Sequence, residues 1–189
     1  MAKENLPLVA DEPTGARIAR FPVISLSAEI LVMGYLLRRN VLTYKAPPGN
    51  EGYDLICIHP DPRKVSKQLR IQVKSRMATD CDRGFPVKAQ AIDAFDFLVV
   101  AFLNVGYYFS KAKKHTAEEG RCLPEFYTLT PDFIRAHHDP RSSWEKVRTR
   151  GIDMSAFKDE LGFELIAKAL DVSYPSKGAG AQNREDEQK

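Results

Sequence analysis

The sequence predicts an α/β (α+β) domain in which a mixed central sheet is flanked by helices. Three observations indicate this class. A strongly apolar helical segment precedes three short β-rich segments that are separated by turn residues. A polar stretch and a short helical segment then lead to a run of apolar residues at 97–103, and further helical patterns follow. A helix, a three-strand meander and a crossover to another buried strand together require a mixed sheet with helices against it.

The first element is a helix over residues 25–40, "SLSAEILVMGYLLRRN". Ser25 or Ser27 can cap its N-terminus, and Arg38 and Arg39 suit the negative end of the helix dipole. The segment is apolar around most of its circumference, which predicts a helix buried in the domain.

Three strands are expected next, over residues 41–46, 53–59 and about 69–76. Pro47-Pro48-Gly49-Asn50 ends the first strand, and His59-Pro60-Asp61-Pro62 ends the second. Both stretches combine proline with residues that favour turns. A basic hairpin tip, "RKVSKQ", leads into the third strand.

The second half of the chain predicts a short helix at 87–95 and a buried strand at 96–104. A strand and helix follow in "EFYTLTPDFIRAHH", where Thr130 caps the helix and Pro131 opens it. An amphipathic helix is expected at 154–171, and Trp144 is assigned to packing.

Composition places these elements in one domain at 21–173, with an extended arm at 1–20 and a flexible tail at 174–189. Three cysteines at spacings that match no zinc or redox pattern predict free thiols in a reducing compartment. The N-terminus has no apolar signal core, and the longest apolar run is seven residues. A cytoplasmic protein without a membrane segment is expected.

The stretch "RIQVKSR" carries the chemistry. Side chains alternate across a strand, so Gln72 and Lys74 share one face while Ile71 and Val73 face the core. If the second and third strands pair as a hairpin, Asp54 at the start of one lies near Lys74 at the far end of the other.

This grouping suits a divalent cation. Asp54 offers a carboxylate, Gln72 an amide oxygen and Val73 a main-chain carbonyl, which are the oxygen ligands that Mg²⁺ prefers. Such an ion lowers the pKa of a water and neutralises charge on a phosphodiester. Lys74 would then orient the attacking water or stabilise the developing charge.

Glu29 is the second acidic candidate. Its neighbours on the predicted helix, Leu26, Val32 and Met33, are apolar, so its carboxylate needs a partner. Either a place in the same metal site or a salt bridge would meet that need.

Taken together, Glu29 in "AEILVMGYLLRRNVLTY", Asp54 in "GYDLICI", and Gln72 with Lys74 in "IQVK" resemble the PD-(D/E)XK nuclease superfamily, which has the restriction-endonuclease-like fold. The resemblance covers about residues 25–171. It implies a core order of αβββαβ, with Glu29, Asp54, Gln72 and Lys74 catalytic and Asp54, Gln72 and Glu29 binding Mg²⁺ or Mn²⁺.

The family pattern differs here at two positions. Tyr53 stands where a proline is expected, and Gln72 replaces the acid of the acid-x-Lys pair. Some branches of the superfamily work with Gln-x-Lys. The resemblance implies a metal-dependent nuclease acting on DNA, in defence, mobile-element or repair settings. The alternative is a catalytically degenerate nucleic-acid-binding or assembly module.

Charge agrees with a nucleic-acid partner. Residues 61–90 contain eight basic and three acidic side chains, whereas the whole chain carries a net charge of only +3. The candidate nucleic-acid contacts are Arg70, Arg76, Lys67, Arg83 and Lys88. RNA stays open beside DNA as substrate, and so does a homodimer, which a double-strand cut would need.

Overall fold

The computed structural model describes residues 22–50, 52–65, 67–79, 83–105, 121–141 and 144–173. The helices and strands are, in chain order, α1 (Pro22–Arg38), β1 (Leu42–Lys45), β2 (Leu55–Ile58), β3 (Gln68–Arg76), β4 (Gly84–Pro86), β5 (Phe97–Phe102), β6 (Glu125–Leu129), α2 (Pro131–Ala136), β7 (His138–Asp139), β8 (Lys146–Arg148) and α3 (Asp159–Ala169). The predicted arm, the tail and Cys81 lie outside the described residues.

The central sheet has five strands in the order β1-β2-β3-β5-β6. β3 and β5 run parallel, and the other neighbouring pairs are antiparallel. The domain is therefore mixed α+β with a mixed sheet and helices against it, as the sequence predicts. The three-strand meander and the crossover to β5 are confirmed.

One face of this sheet packs against α1 and α3. Alternate residues of β3 and β5, among them Ile71 and Val99, are fully buried there. They meet Val32 of α1 and Ile166 of α3 in one apolar core. The expectation that Ile71 faces the core is thus confirmed.

The first helix is not buried all round. α1 presents an exposed apolar stripe, in which Val23, Leu26, Ile30 and Leu37 are between 44% and 62% exposed. Their spacing of three, four and seven residues places them on one side of the helix. The expectation that this helix is buried in the domain is confirmed for the side that packs on the sheet and is wrong for the outer side, which none of the described residues covers.

The opposite face of the sheet carries a second apolar core. Leu98 and Val100 of β5 meet Phe85 of β4, Val147 of β8 and Ile134 of α2 there. Strands β4, β8 and β7 form a separate three-stranded antiparallel sheet over this core, a feature that the sequence did not predict.

The crossover between β3 and β5 differs in helix type from the expectation. Residues 87–95 were expected to form a helix of two or so turns, and the structure has a 3₁₀ helix at Ala89–Ala94. Short segments favour this tighter helix.

Towards the end of the chain, the helix expected at 154–171 is divided into a 3₁₀ turn, Ser155–Phe157, and α3. None of the helices in the described residues has the length and apolar character needed to cross a bilayer.

Candidate active site

The β2–β3 hairpin brings the candidate residues to one end of the sheet. Leu55 pairs with Ile71 in the antiparallel register. The preceding residue, Asp54, therefore lies opposite Gln72, and their side chains share a face. The main chain of Asp54 is held on both sides, since its N–H donates to Ile71 O at 2.8 Å and its carbonyl accepts from Ala46 N at 2.9 Å.

The Asp54 carboxylate accepts two hydrogen bonds on one oxygen. Gln72 Nε2 donates to Oδ2 at 2.6 Å, and the main-chain N–H of Val73 donates to the same atom at 2.7 Å. No described residue donates to Oδ1. One carboxylate oxygen is thus fixed by the protein, and the other keeps its lone pairs for a ligand.

Gly52 shapes the approach to Asp54. Its φ of +101° lies in the region that glycine adopts without strain. A Cβ at this position would lie 2.5 Å from the Cβ of Ala94 on the 3₁₀ helix. The chain therefore enters β2 against the 3₁₀ helix only because residue 52 has no side chain.

Lys74 follows Gln72 on the same face of β3. Their partners across the parallel pair are Val100 and Leu98, both of which belong to the second core, so this face is the one opposite α1. Lys74 is partly exposed. Within the described residues its ammonium group has no hydrogen bond or ion pair, which leaves it available to an anion.

Gln72 and Lys74 open into a cleft of about 520 Å³. The 3₁₀ helix and the segment before it form one wall, and the segment before β8 forms another. Its lining includes Gly52, Gln72, Lys74, Lys88, Trp144 and Glu145. A cleft of this size accommodates a small ligand or one unit of a polymer.

The second acidic candidate, Glu29, has a different partner. Its carboxylate forms an ion pair with Lys45 of β1, and its side chain is 14% exposed. Lys45 pairs with Leu55, whose side chain belongs to the core beside α1. Of the two partners that the sequence left open for Glu29, the structure has the salt bridge, and it does not join Glu29 to Asp54 or Gln72.

Two of the five candidate nucleic-acid contacts are engaged within the domain. The Arg70 guanidinium binds Asp96, with Nε donating to Oδ2 at 3.1 Å. Hydrogen bonding to that carboxylate raises the pKa of Arg70 above its ordinary value. Arg76 donates through one Nη to Gly84 O at 2.6 Å and lies over the Phe85 ring. Both arginines thereby tie β3 to its surroundings.

The other three basic candidates differ in position. Lys88 is exposed and lines the cleft. Lys67 is exposed just before β3, at the end of that strand away from Lys74. Arg83 lies over the Phe102 ring at 5.8 Å, on the side of the second core. Of this set, Lys88 alone lines the cleft with Lys74.

The possible metal ligands at Asp54 are oxygen atoms, which suit a hard cation, but they are few in number. The described residues contain no group of three His, Cys, Asp or Glu side chains that could hold a metal. The available oxygens are Asp54 Oδ1 and, after rotation of its amide, Gln72 Oε1. Mg²⁺ and Mn²⁺ accept so small an oxygen set because they keep several waters, so the residues fit such an ion.

The sequence assigned Trp144 to packing, and this was wrong. Its side chain is 69% exposed, and it lines the same cleft as Lys74. Trp144 lies 70 residues further along the chain than Lys74, and only the pairing of β8 with β4 brings it here. No local pattern in the sequence could have indicated this proximity.

The solved structures that are similar to this chain include two nucleases, both with low overall likeness. A bacterial homing endonuclease is 17% identical with a TM-score of 0.45, over 79% of this chain and 92% of that chain. A Holliday junction resolvase from the archaeal hyperthermophile Archaeoglobus fulgidus is 12% identical with a TM-score of 0.38, over 80% and 98%. No family model and no curated protein matches the chain. The function must therefore be inferred from the side chains of the cleft.

Proposed function

We propose that this protein hydrolyses DNA phosphodiester bonds in a reaction that depends on Mg²⁺ or Mn²⁺. The observation that carries the proposal is the hydrogen-bonded Asp54–Gln72 pair with Lys74 on the same face of β3. The Gln72 amide and the Lys74 ammonium group, which has no partner among the described residues, line one cleft, and the Asp54 carboxylate is hydrogen-bonded to that amide. This is the donor set that a phosphodiester and a divalent cation together require.

Lys74 contributes positive charge where the phosphate reacts. Its ammonium group can donate to a non-bridging phosphoryl oxygen and hold the attacking water in line with the scissile bond. Pairing of β3 with β5 fixes its main chain opposite Val100, so the residue is positioned before the substrate binds. Lys88, on the wall of the same cleft, would bind a neighbouring phosphate.

Asp54 and Gln72 would hold the cation. The two hydrogen bonds on Oδ2 hold the Asp54 carboxylate by one oxygen, and no described residue donates to Oδ1. When bound, the ion would lower the pKa of a water and offset negative charge on the phosphate. A cation beside Asp54 would also favour rotation of the Gln72 amide, because Oε1 is its ligand atom.

A second candidate function has its own observation. Gln72 donates to Asp54, and no third acidic group joins them in the described residues. A site with a single carboxylate binds a divalent ion weakly. A module that binds nucleic acid through the same lysines without cleaving it is therefore the alternative.

A cleavage assay separates the two. Supercoiled plasmid, linear duplex and single-stranded DNA are incubated with wild type, Lys74→Ala or Lys168→Ala, in Mg²⁺, Mn²⁺ or EDTA. Lys168 is the matched control, because its side chain is 71% exposed on α3, across the sheet from the cleft. We expect wild type and Lys168→Ala to cleave only with metal, and Lys74→Ala to lose about 10²- to 10⁴-fold in rate.

Two results would reject the nuclease proposal. Cleavage by Lys74→Ala at the wild-type rate would show that another site is responsible. Absence of cleavage by wild type with either metal, together with salt-sensitive DNA binding, would select the binding module.

A further inference from the structure

The cleft contains an aromatic residue that the hydrolysis described above does not use. Trp144 is the only tryptophan of the chain, and 69% of its surface is exposed in the described structure. Aromatic side chains that pack in a core are mostly buried, whereas this indole is mostly exposed to solvent. Its position beside Lys74 and Lys88 invites a role in ligand binding.

The main chain next to Trp144 is anchored. The carbonyl of Glu145 accepts from Val87 N at 2.9 Å, and its carboxylate accepts from Ala89 N at the start of the 3₁₀ helix. These bonds join the segment that carries the indole to the wall that carries Lys88. The residues next to Trp144 and Lys88 are therefore hydrogen-bonded to each other.

An indole and two lysines together match a nucleotide chain better than an uncharged ligand. The ammonium groups of Lys74 and Lys88 suit phosphates, and the flat indole suits the face of a base. Base faces inside a duplex are covered by their neighbours. Away from the ends of a duplex, a base can therefore stack on Trp144 only where it is unpaired.

We infer that Trp144 stacks on an unpaired base next to the phosphate held by Lys74. The preferred substrate is accordingly DNA with single-stranded nucleotides at the point of cleavage. This inference rests on the proposed nuclease function and names its class of substrate. It also defines Trp144 as a residue that determines specificity.

Intrinsic fluorescence tests stacking directly, because Trp144 is the only indole in the chain. Wild-type protein in EDTA is titrated with a 12-nucleotide thymidine strand and, separately, with a blunt duplex of similar length. Stacking quenches indole emission, so we expect saturable quenching by the single strand and little by the duplex. Similar quenching by both, or none by either, would overturn the inference.

Affinity measurements with two exposed-site variants give a second readout. By fluorescence anisotropy of labelled strands, we expect Trp144→Ala to weaken single-strand binding about 5- to 150-fold and Trp144→Phe to retain most of it. Leu123→Ala is the matched control, since Leu123 is 84% exposed and does not line this cleft. A loss equal to that of Leu123→Ala would reject a specific role for Trp144.

The outcome is separable from that of the cleavage assay. Quenching selective for single strands with no cleavage would reject the nuclease proposal and keep the stacking site. Metal-dependent cleavage that Trp144→Ala leaves unchanged on single-stranded and duplex DNA alike would keep the nuclease and reject the stacking site.

Discussion

Asp54 and Gln72 are joined by a 2.6 Å hydrogen bond in which the amide is the donor. The pair is stable without a cation because an amide can donate to a carboxylate, whereas a second carboxylate would repel it. Glutamine at position 72 thus gives the hairpin a favourable contact in the absence of metal. The same choice removes one negative charge from the proposed ion site.

Gln72→Glu should lower the stability of the metal-free protein and raise its affinity for Mg²⁺ or Mn²⁺. In EDTA the variant loses the donor and places two carboxylates together, which we expect to destabilise it by about 1–3 kcal/mol. Mg²⁺ or Mn²⁺ should then raise its melting temperature more than that of wild type. Thermal unfolding in EDTA and in 10-fold steps of metal concentration measures both effects.

Gln68→Glu is the matched control for this experiment, because Gln68 is exposed at the start of the same strand. It should respond to metal as wild type does. An equal response of the Gln72 and Gln68 variants would remove Gln72 from the ion site.

Glu29→Gln should affect stability more than metal response. The Glu29–Lys45 pair is partly buried, and removal of one charge leaves the other without its partner. We expect a loss of about 1–3 kcal/mol in the free energy of unfolding from urea titration, largely restored in Glu29→Gln/Lys45→Met. The rise in melting temperature with Mg²⁺ should match that of wild type. Loss of that rise in Glu29→Gln would place Glu29 in the ion site after all.

The parts of the site that could be predicted from the sequence are those formed by neighbouring strands. Asp54 and Gln72 are 18 residues apart in one hairpin, and the alternation of β3 indicates which side chains share a face. Turn residues between the strands limited the register that was possible. The sequence pattern that predicts this pairing therefore lies within about 25 consecutive residues.

Features that depend on distant segments could not be predicted. β4 and β8 have three residues each, too few for a periodic pattern, and about 60 residues separate them. Their sheet decides the position of Trp144. Similarly, Lys45 and a metal ion are equivalent partners for Glu29 when only composition is known, and in the structure its partner is Lys45.

Gly162→Ala should be strongly destabilising even though alanine favours helices. A Cβ at this position of α3 would lie 2.2 Å from Phe157 O and 2.9 Å from Thr128 Oγ1. The first contact is with main chain, so it cannot be relieved by a side-chain rotation. We expect a net loss of about 1–3 kcal/mol by urea titration.

Gly34→Ala provides the comparison on α1, where an added Cβ meets no atom within 4 Å. Helix propensity alone should then stabilise the protein by up to about 1 kcal/mol. A gain in stability for Gly162→Ala, like the gain expected for Gly34→Ala, would contradict the close packing of α3.

The acid dependence of stability should include a contribution from Asp139. Hydrogen bonds from Arg141, and then from Arg148, hold the pKa of that carboxyl well below its usual range. A depressed folded-state pKa stabilises the protein above about pH 4, the unfolded value, and this stabilisation is lost as the pH falls through the folded value. The melting temperature of Asp139→Asn should therefore lie below that of wild type at pH 6, and the difference should shrink below pH 4. A difference that does not change with pH would contradict this origin.

The two halves of the site are formed by residues at very different separations along the sequence. The Asp54–Gln72 contact belongs to a local hairpin, whereas Lys74 and Trp144 line one cleft only after the β4–β8 pair has formed. Local contacts lose less chain entropy on closure and form readily, while distant pairs depend on the whole domain. Partial unfolding that begins in the small sheet would therefore leave the Asp54–Gln72 contact in place without the wall of the cleft that carries Trp144.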